Sequence, residues 1–390
     1  MKREFCLSIK SVGICLLFLL TVILLPPVAY SASKTVNFGS ASALSGTGAV
    51  YGTEFAQSFF LAIDEINKKG GLNIGGEKYM IKGVSYDTEL KPALSIKMAL
   101  RLATMDKCPV VFVAESTAAM AVVKYNEKEG FLLVAVTVTP QYSQMGNKLA
   151  VRNCTTFTKY ARILMDTAWK KGIRNVAVYV RSFETSKRWG DYFTQEWVKK
   201  GGKITGREEV PLGQSDHYSR LTKLIETKPD AIITTAFSDE PCSVVVRQAR
   251  ELGFKGKFLH TEAMEGDRLL QMLPAKDVEG SLLCGGSIHL KKPELIAFRE
   301  RFKAKYPDGV FQSAGICSYE GVYIIARAME KAQTVSDVHK IRAAIPAVIP
   351  VPKEVAPAGF NKITPEGDME GTVVVVEFKN GKKEVQAVMD

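Results

Sequence analysis

Side chains able to do acid–base, metal or nucleophilic work are thinly spread along this chain. Its four histidines, His217, His260, His289 and His339, are dispersed. There is no G-x-S-x-G elbow and no H-E-x-x-H pair, so no pattern here activates a serine or a metal-bound water. His260 and Glu262 share one face of an extended segment, but two ligands without a third make no metal site. Setting aside Cys6 and Cys15 near the N-terminus, Cys108, Cys154, Cys242, Cys284 and Cys317 lie far apart, with no C-x-x-C. They read as buried thiols; one disulfide is left open for an oxidising compartment.

The most suggestive local pattern is LSGTGAVYG over residues 44–52, where Gly46, Gly48 and Gly52 are spaced as G-x-G-x-x-x-G. It lies between a short apolar strand and a helical run, the position at which α/β proteins cradle phosphates. A dinucleotide fingerprint also wants an acid roughly 20 residues later. The candidate, Asp87, lies about 40 residues past Gly46, and no Gly-Lys-Ser/Thr follows the glycines. The loop is therefore read as a tight turn at the edge of a site. No nucleotide, other cofactor or metal is expected.

The elements that would position such a site alternate strand and helix. Strand 36–43 leads to helix 54–67, whose Phe55, Phe59, Ile63 and Ile66 fall on one face. Strand 79–86, helix 93–105, strand 110–113, a helix reaching Glu129 and strand 131–136 complete a first series. A second series runs through helix 160–171, strand 175–180, helix 188–200, strand 203–208, helix 217–227, strand 231–235, helix 241–252, and strands 257–261 and 280–284. Helices 293–305 and 313–331, an irregular proline-rich stretch at 345–357 and a hairpin turning at Asn380-Gly381 close the chain. Two such series predict an α/β fold of two doubly wound lobes with a cleft between them. Ligands of such sheets bind beyond the carboxyl ends of the strands. Those ends supply residues 44–51, Asp87, Glu115-Ser116-Thr117 and 137–139 on one side, and 181–189, 237–239 and Glu262 on the other.

Lys2, Arg3 and Lys10 precede an apolar stretch over 12–25 and then Ala29, Ser31, Ala32 and Ser33. This is the layout of a secretory signal peptide, cleaved after Ser31 or Ser33. The apolar stretch is shorter than the roughly 20 residues of a membrane span. The Ile before Cys15 does not suit lipoprotein processing. The remaining chain, about 355 residues, is long enough for two domains. The formal charge is +11. Its lysines and arginines are scattered over amphipathic helices without interleaved aromatics, which reads as a solvated surface and not a nucleic-acid interface.

Taken in order, LSGTGAVYG, AIDEINKKGGL, YDTELKP, EST, RQARELGF and TEAMEG resemble the periplasmic leucine/isoleucine/valine-binding protein family, the type I solute-binding proteins of ABC importers. The likeness covers almost all of the chain after its leader. It implies two lobes joined by a three-strand hinge, with 1–33 as signal peptide, 34–154 and 288–357 in lobe 1, and 155–287 and 358–390 in lobe 2. It implies a monomer in the periplasm that closes on an amino acid, branched-chain or related, and docks on an inner-membrane permease. Members of the family hold the ligand carboxylate with a serine and backbone amides. They hold its ammonium with a threonine hydroxyl, a backbone carbonyl and a glutamate. Carried over, the serine falls on Ser116, with Glu115 or Thr117 as alternatives. The threonine falls on Thr139, beside backbone groups of Thr137 and Val138. The glutamate falls on Glu262, with Asp239 a weaker candidate. Independently, Ser116 is positioned to cap a helix and favour an anion. Aromatic walls are expected from Tyr51, Trp189, Phe237 and Tyr319. Glu89 and the Val113-Ala114 region occupy the places of the family's first-lobe cysteine pair. Relatives that bind aromatic or aliphatic carboxylates, amides or urea supply the alternative cargo, and an exported enzyme is the remaining class.

Overall fold

Alternate residues of a strand face opposite ways. The short, wholly apolar strands of this chain therefore need cover on both sides. The computed structural model describes residues 33–390; the expected leader over 1–33 lies, but for Ser33, outside the described residues. One sheet has six strands in the order β2 (Leu72–Ile74), β3 (Glu77–Asp87), β1 (Lys34–Ser42), β4 (Val110–Val113), β5 (Leu132–Ala135), β6 (Ala150–Arg152). From β1 to β6 the pairing is parallel. Val110 and Phe112 enter one core, together with Phe55 and Phe59 of the Ala49–Lys68 helix and Tyr319 and Val322 of the Ser313–Ala332 helix. Val111 and Val113 enter a separate core, against Leu102 of the Pro92–Thr104 helix and Ala119 of the Ser116–Val122 helix.

The second sheet runs β15 (Lys382–Met389), β14 (Val373–Lys379), β11 (Leu282–Gly285), β10 (Lys257–His260), β9 (Ala231–Thr235), β7 (Asn175–Arg181), β8 (Lys203–Val210). From β8 to β11 it is parallel, and the C-terminal hairpin is added antiparallel. Val176, Val178 and Val180 face one core, Ala177 and Tyr179 the other. Residues Thr35–Asp390 form one unit. The chain passes between its two halves three times, near residues 153–157, 286–292 and 358–372.

Several expectations need adjustment. The helix expected to continue to Glu129 breaks into Ser116–Val122 and Asn126–Glu129. Strand β6 and a small sheet of β12 (Phe360–Ile363) and β13 (Met369–Gly371) were not anticipated; they are too short to show a period. The buried Glu320 carboxylate anchors this small sheet by accepting from the backbone N–H groups of Ala358, Gly359 and Phe360, at 2.7–2.9 Å. No helix among the described residues is long and apolar enough to cross a membrane.

Candidate functional site

In each sheet the strand order reverses direction once: between β1 and β4 in the first, between β7 and β9 in the second. A doubly wound sheet opens a crevice at such a point, beyond the carboxyl strand ends. The two crevices face one cleft of about 1010 Å³. Its lining includes Cys154, Thr155, Ser287, Ile288, Ala358 and Thr372, all from or beside the three crossing segments.

On the six-stranded side, the LSGTGAVYG turn forms the rim. Asp87 holds it, its carboxylate accepting from Leu44 N at 2.8 Å and from Ser45 Oγ at 2.6 Å. The acid weighed for a dinucleotide fingerprint is thus a clasp for the turn. Gly46 takes φ +71°, and a Cβ on Gly52 would meet the Ala43 carbonyl oxygen at 2.0 Å. The glycines serve a close turn, and Tyr51 among them reaches the cleft. Glu115, not Ser116, occupies the helix cap, with φ +59°. Ser116 is therefore the first residue inside the helix and makes no capping bond, which corrects the capping role expected of it. Its orientation comes from elsewhere. Thr139 N donates to Thr137 Oγ1 at 3.2 Å, and Thr137 Oγ1 donates to Ser116 Oγ at 2.9 Å. The Ser116 proton is left free for another acceptor.

On the seven-stranded side, Trp189 comes from the Glu184–Lys199 helix, which stacks Trp189, Phe193 and Trp197 along its buried face. The Trp189 indole N–H donates to Glu262 Oε2 at 3.0 Å. Burial pushes the Glu262 carboxyl up to about 7, although its own backbone N–H and the indole oppose the rise. Glu265 crosses the cleft: its Oε1 accepts from Ser313 N at 3.0 Å and Ser313 Oγ at 2.9 Å. Burial raises its carboxyl to about 7 as well, against those two hydrogen bonds. Glu115 reaches about 7 for the same reason, with the Ala43 N–H opposing.

Of the residues expected from sequence, Tyr51, Ser116, Thr117, Val138, Trp189, Phe237 and Glu262 line this one cleft. Thr137 and Thr139 stand behind Ser116, buried, and the Thr139 hydroxyl has no partner. The Val138 carbonyl accepts from Phe157 N at 2.8 Å. Tyr319 is elsewhere. It is fully buried in the first core, its hydroxyl bound to Glu65 and Arg301, because the apolar face of a long helix turns into the core. Asp239 accepts from Gly266 N at 2.7 Å and supports the neighbouring loop. His260, weighed as a ligand beside Glu262, is fully buried against Thr234 and Phe258. Among the described residues no group of three acidic, histidine or cysteine side chains could hold a metal ion. Glu265, Tyr160 and Ser313 are cleft residues that the strand-end rule missed, since they come from loops and helices past those ends. The only sequence signal for Glu265 was its place three residues after Glu262.

A model of the periplasmic binding protein family matches residues 35–383. A leucine-, isoleucine-, valine-, threonine- and alanine-binding protein of Pseudomonas aeruginosa is 25% identical over 325 residues, covering 81% of this chain and 83% of its own. A Streptococcus pneumoniae branched-chain amino acid transporter substrate-binding protein, solved with isoleucine, superposes with TM-score 0.76 at 21% identity, over 91% of this chain and 99% of that one. An ABC-transporter solute-binding protein of R. palustris, solved with benzoate, gives TM-score 0.77 at 17% identity, over 91% and 96%. The likeness to these two solved structures is a likeness of fold.

Proposed function

We propose that this chain, which belongs to the periplasmic binding protein family, is the exported receptor of an ABC importer and carries an amino acid, branched-chain or related. The two halves act as lobes, 34–154 with 288–357 and 155–287 with 358–390, that hinge on the three crossing segments. The open cleft admits the ligand, which then selects the closed state by touching both walls. The protein works in the periplasm as a monomer, hands its cargo to an inner-membrane permease and catalyses no reaction.

The observation that carries this reading is Glu262, a carboxylate aimed by an indole into the cleft opposite Ser116 and Thr117. An ammonium on Glu262 and a carboxylate on the Ser116 hydroxyl and nearby N–H groups would span the cleft. Charge-assisted hydrogen bonds contribute about 1.5–3 kcal/mol each. Three of them, with a buried side chain, suffice for about −8 kcal/mol, a micromolar complex, after association and closure costs. The names of the amino-acid-binding relatives support the same cargo. Calorimetry with leucine, isoleucine and valine tests it: Glu262→Gln should weaken binding, and unchanged binding would remove the amino-acid assignment.

A second reading keeps the cleft and replaces the cargo with an aromatic or aliphatic acid, an amide or urea. The flat rings of Trp189 and Phe237 favour it, as does the benzoate-bound relative. A carboxylate without an amine has no use for Glu262. A thermal-shift panel of amino acids against aromatic acids separates the two.

A further inference from the structure

Arg181 ends β7, beside the point where the order of the second sheet reverses, and it lines the cleft. Its Nη1 donates to the Ala236 carbonyl at 3.1 Å. Its guanidinium lies 5.8 Å from the Phe183 ring centre and 5.7 Å from that of Phe237. No carboxylate among the described residues comes within ion-pair distance of it. The acids of the same cleft are engaged elsewhere: Glu115 with the Ala43 N–H, Glu240 with Arg268, Glu262 with Trp189, Glu265 with Ser313. A guanidinium has five N–H donors in a fixed fork that fits a carboxylate bidentately. Holding this one half-buried without a counter-ion is costly unless something else supplies the charge.

The wall around Arg181 is built to receive a group. The Phe237 ring stacks on Tyr179 at 5.6 Å, with 16° between the planes, and is held as a flat surface. His217, also in the lining, faces the edge of Phe237 at 6.5 Å and bonds Tyr179 Oη through Nδ1 at 2.7 Å. Its Nε2 has no hydrogen-bond partner. A tyrosine hydroxyl donating to Nδ1 leaves the proton of a neutral imidazole on Nε2. One strand, β9, separates β7 from β10, so Arg181 and the strand leading to Glu262 stand about 10 Å apart at the usual strand spacing. Groups this far apart can address different ends of one small molecule.

We propose that the ligand brings a carboxylate to Arg181, so that the cleft selects an anionic group at this end of the second wall. This rests on the reading of the cleft as the ligand site. The carboxylate could belong to the side chain of a dicarboxylic amino acid or to an organic acid without an amine. Either class would rank above leucine and isoleucine.

The test is titration calorimetry on the mature protein with L-glutamate, L-2-aminoadipate, glutarate, benzoate, leucine and isoleucine. It is repeated on Arg181→Gln, Arg181→Lys and Glu262→Gln, with thermal unfolding to verify folding. An anionic probe should bind, lose about tenfold or more in Arg181→Gln, and recover only partly in Arg181→Lys. If Arg181→Gln does not fold, Arg181→Lys carries the comparison. Glutamate or aminoadipate binding that also needs Glu262 supports this proposal and the amino-acid reading together. Glutarate or benzoate binding that needs Arg181 and ignores Glu262 supports this proposal and removes the amino-acid reading. Leucine or isoleucine binding tighter than every anionic probe, unchanged within about twofold by Arg181→Gln, overturns the proposal and leaves the amino-acid reading standing.

Discussion

If Glu262 holds an ammonium, ligand affinity must follow its ionisation. Burial holds the free carboxyl near 7. About one molecule in ten is then ionised at pH 6 and about nine in ten at pH 8. A ligand that requires the carboxylate should bind about tenfold more tightly at pH 8 than at pH 6. Near pH 7 binding should release about half a proton, because the ammonium pulls the carboxyl below its free value. Calorimetry in two buffers of different ionisation heat reads that proton directly. Glu262→Gln keeps the shape and the indole contact but cannot ionise. At pH 8 it should lose one charge-assisted hydrogen bond, about 1.5–3 kcal/mol, or roughly 10- to 100-fold in Kd. Its pH profile should be flat. Glu115 and Glu265 lie near 7 as well, so the variant is the control that isolates Glu262. A Glu262→Gln protein with the wild-type pH slope, or a wild type flat from pH 6 to 8, would refute the ammonium role.

Stability should run the other way with pH. Burial raises Glu115, Glu262, Glu265 and Glu320 from 4.5 to about 7, so the native state holds more protons than the unfolded chain between those values. This contribution is complete below pH 4.5 and is lost as pH rises through 7. The buried His260 and His289, lowered to about 3, oppose it only below 6.5. The melting temperature of the ligand-free protein should therefore fall by a few degrees from pH 6.5 to 8 in scanning calorimetry, and a rise would contradict the assignment. Gly52→Ala places a methyl group 2.0 Å from the Ala43 carbonyl oxygen and should cost about 3 kcal/mol in urea unfolding. Tyr319→Phe removes a hydroxyl bound to Glu65 and Arg301, outside the cleft lining. It should cost about 1 kcal/mol of stability and leave ligand affinity within about twofold.

The strands that pack on both faces were legible because such burial demands unbroken apolar runs. Val110–Val113 and Ala231–Thr235 fall where the sequence places them. The cleft was legible for a topological reason: strand ends at a reversal point converge whatever their residues are. What escaped lies outside these regularities. The place of Glu115 ahead of the helix needs a positive φ that no glutamate advertises. Tyr319 was misplaced because an aromatic on a helix reads alike whether it faces a core or a cleft. The support given to Ser116 by Thr137, and the span of Glu265 to Ser313, are contacts between residues 21 and 48 positions apart. Only the folded chain brings them together.

The chain has three tryptophans, Trp169, Trp189 and Trp197, and all of them lie in the seven-stranded half. Trp169 meets Trp197 edge-on at 5.6 Å, Trp197 stacks on Phe193, and Phe193 stacks on Trp189 at the cleft. Tryptophan emission thus originates in one half, and only Trp189 borders the cleft, with its indole N–H on an ionisable carboxylate. A change in the charge or occupancy of Glu262 alters the field on that indole, while the half-buried Trp169 and the buried Trp197 report a background away from the cleft. The protein carries its own optical probe for the site, and a fluorescence titration needs no label.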